Sequence, residues 1–410
     1  MRIAIWHNLP SGGGKRALYG QVAGLLDRGH EVEAWCPPRT DSDYLPLSDL
    51  ITEHEVPLEA PVLPGWKRNL VEIANDIRID IAAMDRHCGH CVREMTSGSF
   101  DILFANSCTQ YRTTAIGRLS PLRSVLYLQE PYRWLYEAVP DFVWAADQRP
   151  QGWWHRPRPL AEAARASVRM RRMGIQVREE IRNARGFDSI LVNSLFSRES
   201  LLRSYGIGAK VCRLGVDTKL FVAQRHERGR FLVTVGAFVR EKNAEFLIDS
   251  LSRCRAPRLP LVWVANICSD TELRRMTDKA EALGVDLDVR VRVSDQELVA
   301  LLNDALAMVY APRLEPLGFA PLEAAACGLP VVAVAEGGVR ETVVDGVTGL
   351  LVEGSPDSFA AAVDRLATDQ ELAMALGEGA SRHVEECWSM AESLDQLEAA
   401  LARHEGTLDR

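Results

Sequence analysis

The sequence of 410 residues lacks the features that would assign it at once to a membrane or secreted class. It contains no run of about 18 uncharged apolar residues, the length needed to cross a bilayer. No apolar segment follows a basic N-terminus, because an apolar run of strand type begins at Arg2. We therefore expect a cytoplasmic protein, with peripheral contact at the inner membrane face left open.

Dense basic blocks, low-complexity runs and short internal repeats are also missing. Without a basic block, no nucleic-acid partner is expected. The net charge is −8, and the excess of acidic residues falls in the second half of the chain. The mildly basic first half would suit an anionic partner or a membrane surface. Nine cysteines, an odd and scattered set, indicate reduced thiols rather than a disulfide framework.

The common nucleotide-binding fingerprints are absent as well. The glycine-rich segment Ser11–Gly14 has neither the G-x-G-x-x-G spacing of a dinucleotide site nor the pattern of a P-loop. This argues against a nicotinamide-dependent oxidoreductase, the alternative enzyme class that a chain of this organisation would suggest.

What is present is an alternation of strands and helices that runs twice along the chain, and the length itself favours two domains. The alternation predicts an α/β protein with two Rossmann-like domains facing a central cleft. We assign residues 1–216 to the first domain, 217–385 to the second, and 386–410 to a terminal helix that packs back across the joint. The predicted strands are Arg2–His7, Glu31–Cys36, Ile102–Ala105, Val125–Gln129, Ser189–Asn193, Phe231–Val235, Leu261–Ala265, Val289–Val291, Ala307–Tyr310 and Pro330–Ala333.

The most informative stretch runs from Arg313 to Pro330. A strand ending near Tyr310 leads through a Pro/Gly loop into a helix that starts close to Phe319. The start of a helix after a parallel strand presents free N–H groups and a positive dipole end, which suit a phosphate. Glu323, one turn into the helix, and Glu315, in the loop, can accept hydrogen bonds from hydroxyls on either side of that phosphate. Two surface glutamates beside a capped helix would be the alternative.

This stretch resembles the retaining glycosyltransferases of family 4, which have the GT-B fold. The E-P-x-G-x-x-x-x-E-A-x-A-x-G-x-P pattern of that family, with its Glu-x7-Glu, is matched from Glu315 to Pro330. The resemblance continues in Gly337–Glu341 and Asp345–Val352, and upstream in Asn193–Ser197 and Leu214–Thr218. It implies that Glu323 binds the nucleotide ribose, that Glu315 binds the donor sugar, and that the backbone around Gly318, Phe319 and Ala320 lies beside the diphosphate.

The segment Val235–Asn243 supplies the predicted cation for the leaving diphosphate. Lys242 matches the lysine of the family, and Gly236 is assigned to donor binding. Relatives carry an arginine where this chain has Ala237, so one half of the phosphate clamp is missing. Arg240 is the candidate replacement, with a solvated loop residue as the alternative.

The first domain supplies the remaining predicted site residues. The resemblance places Gly13 and Gly14 beside the donor phosphate, whereas the loop alone would equally suit a tight turn without function. Either Lys15 or Arg16 could meet an anionic group, and Lys15 is assigned to the acceptor. Gln129 stands where many relatives have a histidine facing the sugar, and it cannot act as a general base. The other residues assigned to the acceptor are Asn106, Glu130 and Arg133.

Four segments resemble sites of other kinds. The segment His87–Cys91 contains histidines and cysteines, which can bind a metal ion, but it falls in a helical pattern. The triplets at 41–43 and 286–288 have the Asp-x-Asp pattern by which other glycosyltransferases bind a metal ion. They lie away from the residues that are predicted to bind the diphosphate. The Trp- and Arg-rich stretch 134–172 allows a partner or membrane surface, acceptor recognition, or a plain aromatic cluster.

The sequence therefore predicts a retaining glycosyltransferase that needs no metal or other cofactor. The co-substrate would be a nucleotide diphosphate sugar, and the acceptor a glycan, a lipid-linked molecule or a small molecule. The alternative is a relative of the same fold that acts as a binding or partner subunit, an idea supported by Ala237 and Gln129.

Overall fold

The computed structural model describes residues 1–38, 44–59, 77–137, 158–224, 228–255 and 258–402, without the side chains of residues 134, 158–166 and 169. Within these ranges the chain forms two parallel sheets, one in each half. No helix of the described chain combines the length and the apolar character needed to cross a bilayer.

The first sheet has seven parallel strands in the order β3-β2-β1-β4-β5-β6-β7. In the interior strand Arg2–Asn8, Ile3, Ile5 and Trp6 are fully buried because helices cover both faces of the sheet. The strands are β1 (Arg2–Asn8), β2 (Glu31–Cys36), β3 (Thr52–Glu55), β4 (Ile102–Cys108), β5 (Arg123–Tyr127), β6 (Ser189–Val192) and β7 (Lys210–Val211).

The helices of this half connect successive strands, as a parallel sheet requires. They are α1 (Gly13–Asp27), α2 (Ile77–Ser97), α3 (Ile116–Leu119), α4 (Arg133–Tyr136), α5 (Arg158–Ala184) and α6 (Leu195–Tyr205). A 3₁₀ turn spans Leu47–Asp49.

The second half repeats the plan with six parallel strands in the order β10-β9-β8-β11-β12-β13. These are β8 (Leu232–Val235), β9 (Leu261–Ala265), β10 (Leu287–Val291), β11 (Ala307–Tyr310), β12 (Val331–Val334) and β13 (Gly349–Val352). The helices are α7 (Ala244–Leu251), α8 (Asp270–Leu283), α9 (Asp295–Asp304), α10 (Phe319–Ala326), α11 (Val339–Thr342), α12 (Pro356–Thr368), α13 (Gln370–Cys387) and α14 (Met390–Ala402).

Helix α14 returns to the first half and packs on α1. Gly24 of α1 lies directly against Leu394, and a side chain at that position would meet the leucine. At the rim, Arg28 pairs with Asp395 at 2.7 Å and His30 pairs with Glu398 at 2.6 Å. One buried hydrophobic cluster contains residues of both halves and of α14, so the terminal helix ties the two halves together.

The strands predicted from the sequence are confirmed, whereas one predicted loop is wrong in part. The segment 11–14 is expected to be a loop, but α1 begins at Gly13. Glycine is a poor helix former, which hides this helix start from a propensity argument. The short edge strand β3 is not predicted either, because its residues Thr52–Glu55 are polar and only partly buried.

Candidate functional site

The two halves enclose a cleft at the carboxyl ends of their central strands, where ligands bind in open α/β sheets. Its cavity measures about 490 Å³. From the first half the cavity is lined by Ser11, Gly12, Gly13, Arg16 and Tyr44. From the second it is lined by Val235, Gly236, Ala237, Lys242, Val264, Ala265, Asn266, Ile267, Arg292, Val293, Asp295, Leu298, Tyr310, Glu315, Phe319, Ala320 and Glu323.

Two helix starts face each other across this cleft. A β-carbon placed on Gly13, the first residue of α1, would lie 3.8 Å from the side chain of Phe319, the first residue of α10. Neither helix has a capping side chain or an acidic residue in its first turn. The positive ends of two helix dipoles therefore point at one small volume, which favours an anion there.

The start of α10 depends on a glycine. Gly318 occupies the N-cap position with a φ of 87°, a left-handed conformation in which a side chain is strained. An added β-carbon would also press on Val339 at 3.2 Å. Gly318 therefore lets the loop turn sharply into the helix and brings the first amides of α10 to the cleft.

Lys242 and Glu315 form an ion pair on one wall of the cavity. The lysine Nζ lies 2.8 Å from Oε2 of the glutamate, and the two side chains are 25 % and 15 % exposed. Burial opposes ionisation of Glu315, but the charges of Lys242 and Arg133 and hydrogen bonds from Lys242 and Tyr310 outweigh it, so its pKa lies below the usual value. Glu315 is thus held as a carboxylate.

Glu323 lies deeper and in a different environment. Its side chain is 6 % exposed, and its Oε1 lies 3.3 Å from Nε of Arg16. Burial raises the pKa of this carboxyl to about 7, an effect that the charge of Arg16 opposes and that of Asp295 reinforces. The two glutamates predicted from the sequence therefore line the same cavity, one firmly ionised and the other close to titration at neutral pH.

Arg16, which the sequence suggested only as an alternative to Lys15, lines this site. Its guanidinium makes two hydrogen bonds to Asp295 across the cleft, at 2.5 and 3.0 Å. It also lies over the rings of Tyr44 and Phe221, with 5.8 and 5.7 Å from the guanidinium carbon to the ring centroids. Asp295, at the start of α9, is 279 positions away in the chain, so no local pattern links the two residues.

The placement of Arg16 corrects the expectation for Lys15. Lys15 is only 1 % exposed and does not line the cavity, whereas Arg16 does. The reason is that α1 begins at Gly13, and successive residues of a helix point about 100° apart. If Gly13 and Gly14 formed a loop, as expected, both side chains could reach the cleft.

The other predicted donor residues fall into two groups. Gly236, Ala320 and Phe319 line the cavity with Gly13. Arg240 begins a 3₁₀ turn that ends at Lys242, and it is exposed and does not line the cavity. The structure thus places Lys242, but not Arg240, beside the facing helix starts.

The predicted acceptor residues lie around the ends of β4 and β5. The Gln129 amide lies against Gly14, where an added β-carbon would stand 2.8 Å from the amide nitrogen. Asn106 is 2 % exposed, and its Nδ2 has no hydrogen-bond partner among the described residues. Of these two side chains, that of Gln129 thus lies next to the start of α1.

Glu130 and Arg133 belong to an ion-pair chain that reaches the second half. Glu130 pairs with Arg112 at 2.7 Å and lies 3.6 Å from Arg133. Arg133 also pairs with Glu137 at 3.0 Å and donates a hydrogen bond of 2.6 Å to the carbonyl oxygen of Arg313. Arg133 therefore bridges the two halves of the chain.

Metal-like patterns do not contribute to this cavity. His87, Cys88 and Cys91 are buried in α2, and His87 bonds to Trp6 and to the carbonyl of Val56. Asp286 and Asp288 do not line the cleft, and Asp288 pairs with Arg290. In the described part of the chain, one group of three side chains could hold a metal ion, namely His7, Cys36 and Glu53. None of the three lines the cleft.

Two predicted segments lie partly or wholly outside the described residues. The triplet Asp41–Asp43 is one of them. The other is most of the Trp- and Arg-rich stretch, including Trp144, Trp153, Trp154 and Arg156. All nine cysteines are described and carry free thiols, six of them buried, as expected for a reduced set.

Comparisons with known proteins agree with this geometry. Residues 216–383 match the family described as Glycosyl transferases group 1. A GDP-mannose-dependent alpha-(1-6)-phosphatidylinositol monomannoside mannosyltransferase of Mycolicibacterium smegmatis is 32 % identical over 219 residues, 48 % of this chain and 57 % of the relative. A D-inositol 3-phosphate glycosyltransferase of Corynebacterium jeikeium is 34 % identical over 194 residues, 44 % of this chain and 46 % of the relative. The chain spans about half the length of such relatives.

Solved structures share the architecture over almost the whole chain. HepE of Anabaena, solved with UDP and glucose, superimposes with a TM-score of 0.71 at 17 % identity and covers 98 % of this chain and 99 % of its own. Sucrose-phosphate synthase of Thermosynechococcus elongatus gives a TM-score of 0.69 at 18 % identity, with 98 % and 99 % coverage. The chain therefore has the predicted GT-B fold of two Rossmann-like domains, and its second half is similar to the glycosyl transferases group 1 over residues 216–383.

Proposed function

We propose that this protein is a retaining, metal-independent glycosyltransferase of family 4 that moves a sugar from a nucleotide diphosphate sugar to an acceptor. The observation that carries the proposal is the meeting of two uncapped helix starts, at Gly13 and Phe319, in a cavity that also holds Lys242, Glu315 and Glu323. The diphosphate would lie at the helix starts, the ribose at Glu323 and the donor sugar at Glu315.

Charge stabilisation in this cavity accounts for the main electrostatic demand of the reaction. As the bond between the anomeric carbon and the phosphate oxygen breaks, negative charge builds on the departing diphosphate. The two helix dipoles and Lys242 are fixed in place to meet that charge, and preorganised charges of this kind supply much of an enzyme's rate enhancement. These groups replace the cation that a bound metal would otherwise provide, which is why we propose no metal.

The state of Glu315 suits a binding role. A carboxylate whose pKa is lowered is a weak base, so it accepts hydrogen bonds from sugar hydroxyls without removing their protons. Gln129, whose amide lies against Gly14, cannot take a proton either. We propose that the leaving phosphate oxygen receives the proton of the acceptor hydroxyl while that hydroxyl oxygen bonds to the anomeric carbon on the same face, so the configuration is retained.

The acceptor would enter from the first domain, past Gln129, Glu130 and Arg133. The names of the relatives point to polyol phosphates and mannosylated lipids as the first molecules to test. We propose a glycan, a lipid-linked molecule or a small molecule as the acceptor of this chain. With a lipid-linked acceptor, we expect peripheral contact of a cytoplasmic enzyme with the inner membrane face.

A binding subunit that has kept the fold but not the activity is the second candidate. It is favoured by Ala237, which lines the cavity where relatives are expected to have an arginine, and by the exposed position of Arg240. The ion pair of Lys242 and Glu315 counts against it, because a protein without catalytic activity has no need of a partly enclosed cation next to the diphosphate position.

The first experiment is a thermal-shift panel of UDP-, GDP-, ADP- and TDP-sugars, with and without EDTA. A ligand that binds the folded state raises the melting temperature. We expect one base to stabilise the protein equally in EDTA, and the same donor to be hydrolysed slowly or transferred with retained anomeric configuration in an NMR assay. Stabilisation without any turnover would favour the binding subunit, and no stabilisation by any donor would refute both functions.

A further inference from the structure

We infer that Arg16 changes partners when the donor binds: it leaves Glu323 and Asp295 and supplies the second cation for the diphosphate. This inference rests on the proposed function and names a residue of the first domain as part of the donor site. The contacts that support it are the two hydrogen bonds to Asp295, at 2.5 and 3.0 Å, and the 3.3 Å approach to Glu323.

The charges of the cavity make such a change necessary. Among the described residues, the charged side chains that line it are three cations and three acids, namely Arg16, Lys242, Arg292, Asp295, Glu315 and Glu323. A diphosphate diester would add two negative charges to this balanced set. Lys242 is tied to Glu315 at 2.8 Å, and Arg292 is exposed. Arg16 is the cation that is both enclosed and shared between two acids, so it can gain most by turning to a new anion.

The ribose end of the site requires the same change. Glu323 can bind the ribose hydroxyls only through carboxylate oxygens that are free to accept their hydrogen bonds, and Oε1 is next to Arg16 in this structure. Ribose binding at Glu323 therefore competes with Arg16. A diphosphate within reach would offset the loss, because it offers the guanidinium a bidentate anionic partner.

The distances allow the movement. Glu323 lies four residues after Phe319 in α10, a separation of about 6 Å along the helix axis. Gly13 lies against Phe319, and Arg16 is one turn further along α1. A change of side-chain rotamer that displaces the guanidinium group by about 6 Å would carry its charge from the ribose position to the facing helix starts. Neither helix would have to move.

Asp295 is the partner that holds Arg16 away from the diphosphate position. It is the first residue of α9, whose N-cap Ser294 and Glu297 already form a capping box, so the helix start does not need Asp295 as its cap. Replacing Asp295 by asparagine would remove the charge that retains Arg16 and leave the helix cap intact. This variant separates the holding contact from the residue that it holds.

The test compares nucleosides with nucleoside diphosphates by calorimetry. Uridine with UDP, guanosine with GDP and adenosine with ADP are titrated into the intact protein and into Arg16→Gln, Arg16→Lys and Asp295→Asn. The control is Arg203→Gln, an exposed arginine of α6 that lines no part of the cleft. Melting curves establish that each variant is folded.

For the base that binds, we expect Arg16→Gln to weaken diphosphate binding by about tenfold or more, as loss of a charge-assisted contact does. Nucleoside binding should stay the same or become tighter, because Glu323 is released. Arg16→Lys should fall between, and Asp295→Asn should bind the diphosphate more tightly than the unaltered protein. The control should leave both affinities as they are.

Other results overturn the inference in distinguishable ways. Tighter binding of both ligand types in Arg16→Gln would mean that Arg16 only blocks the cleft. Equal weakening of both, or an unchanged preference for the diphosphate, would mean that it contributes only to structure. If no nucleoside diphosphate binds the unaltered protein, the proposed function itself fails, whereas the results above leave that function standing.

Discussion

Lys242 donates a hydrogen bond of 2.8 Å to the carboxylate of Glu315 on one wall of the interdomain cleft. The pair couples the expected leaving-group cation to the expected sugar-binding acid. Both side chains are largely enclosed, and the Glu315 charge is stabilised by Lys242 and by the Arg133 charge nearby. Removing either member therefore changes both functions of the site.

The first prediction concerns Lys242→Gln. Loss of the positive charge removes stabilisation of the departing diphosphate, so kcat should fall by about 10²- to 10³-fold while KM for the donor changes less. Steady-state kinetics with the donor identified by the thermal-shift panel measures both constants.

Lys279→Gln is a closely matched control for this variant. Lys279 of α8 is also 25 % exposed and also forms an ion pair at 2.8 Å, with Asp249, yet it does not line the cleft. The Lys279→Gln variant should keep the kcat of the unaltered protein. Equal losses in the two variants would show that any enclosed lysine matters for stability and that Lys242 has no special part in turnover.

The second prediction is a pH dependence that comes from Glu323. Burial, with a contribution from Asp295 and against the charge of Arg16, raises its pKa from 4.5 to about 7. The folded protein therefore binds this proton more tightly than the unfolded chain. The resulting stability is fully present below pH 4.5 and is lost as the pH rises through about 7, with an upper limit of about 3 kcal/mol.

Donor binding should show the opposite trend. The carboxylate form of Glu323 accepts hydrogen bonds from ribose hydroxyls, so affinity for the donor should rise from pH 5.5 to pH 7.5 and then level off. A nucleotide diphosphate sugar is the suitable probe, because its diphosphate diester does not titrate in this range. Glu323→Gln should remove both pH trends, and a variant that retained either of them would assign that trend to another group.

The sequence was sufficient for those parts of the site that lie close together in the chain. Glu315 and Glu323 could be assigned because a strand, a loop and a helix start bring them close together and because the stretch resembles a family pattern. The contact of Arg16 with Asp295 could not, since it joins two domains and no periodicity spans 279 positions. The choice between Lys15 and Arg16 failed for a local reason, because three glycines concealed where the helix begins.

The third prediction concerns Gly14, which lies against the amide of Gln129. A β-carbon at this position would stand 2.8 Å from the amide nitrogen, so Gly14→Ala must displace the Gln129 side chain, the far end of which can move. Alanine is the better helix former by about 1 kcal/mol, so the melting temperature should not fall. Acceptor KM should rise, because Gln129 is the polar group expected at the sugar face.

Gly174→Ala provides the control, since this glycine also lies in a helix and no atom is within 4 Å of an added β-carbon. It should raise the melting temperature without altering acceptor KM. If Gly14→Ala behaves in the same way, Gln129 takes no part in binding the acceptor.

The last prediction concerns the helix that ties the halves together. Leu397 of α14 is fully buried within the hydrophobic cluster that contains residues of both domains. Leu397→Ala should lower the free energy of unfolding by about 2–4 kcal/mol, because the truncation leaves a cavity in that cluster. Met374→Ala, at a side chain that is 56 % exposed, should change it by less than about 0.5 kcal/mol. Because α14 holds α1, and α1 carries Arg16 and the glycines of the cleft, Leu397→Ala should also weaken donor binding. Calorimetric unfolding together with donor titration checks both effects, and a destabilised variant with unchanged donor affinity would show that the cleft does not depend on this helix.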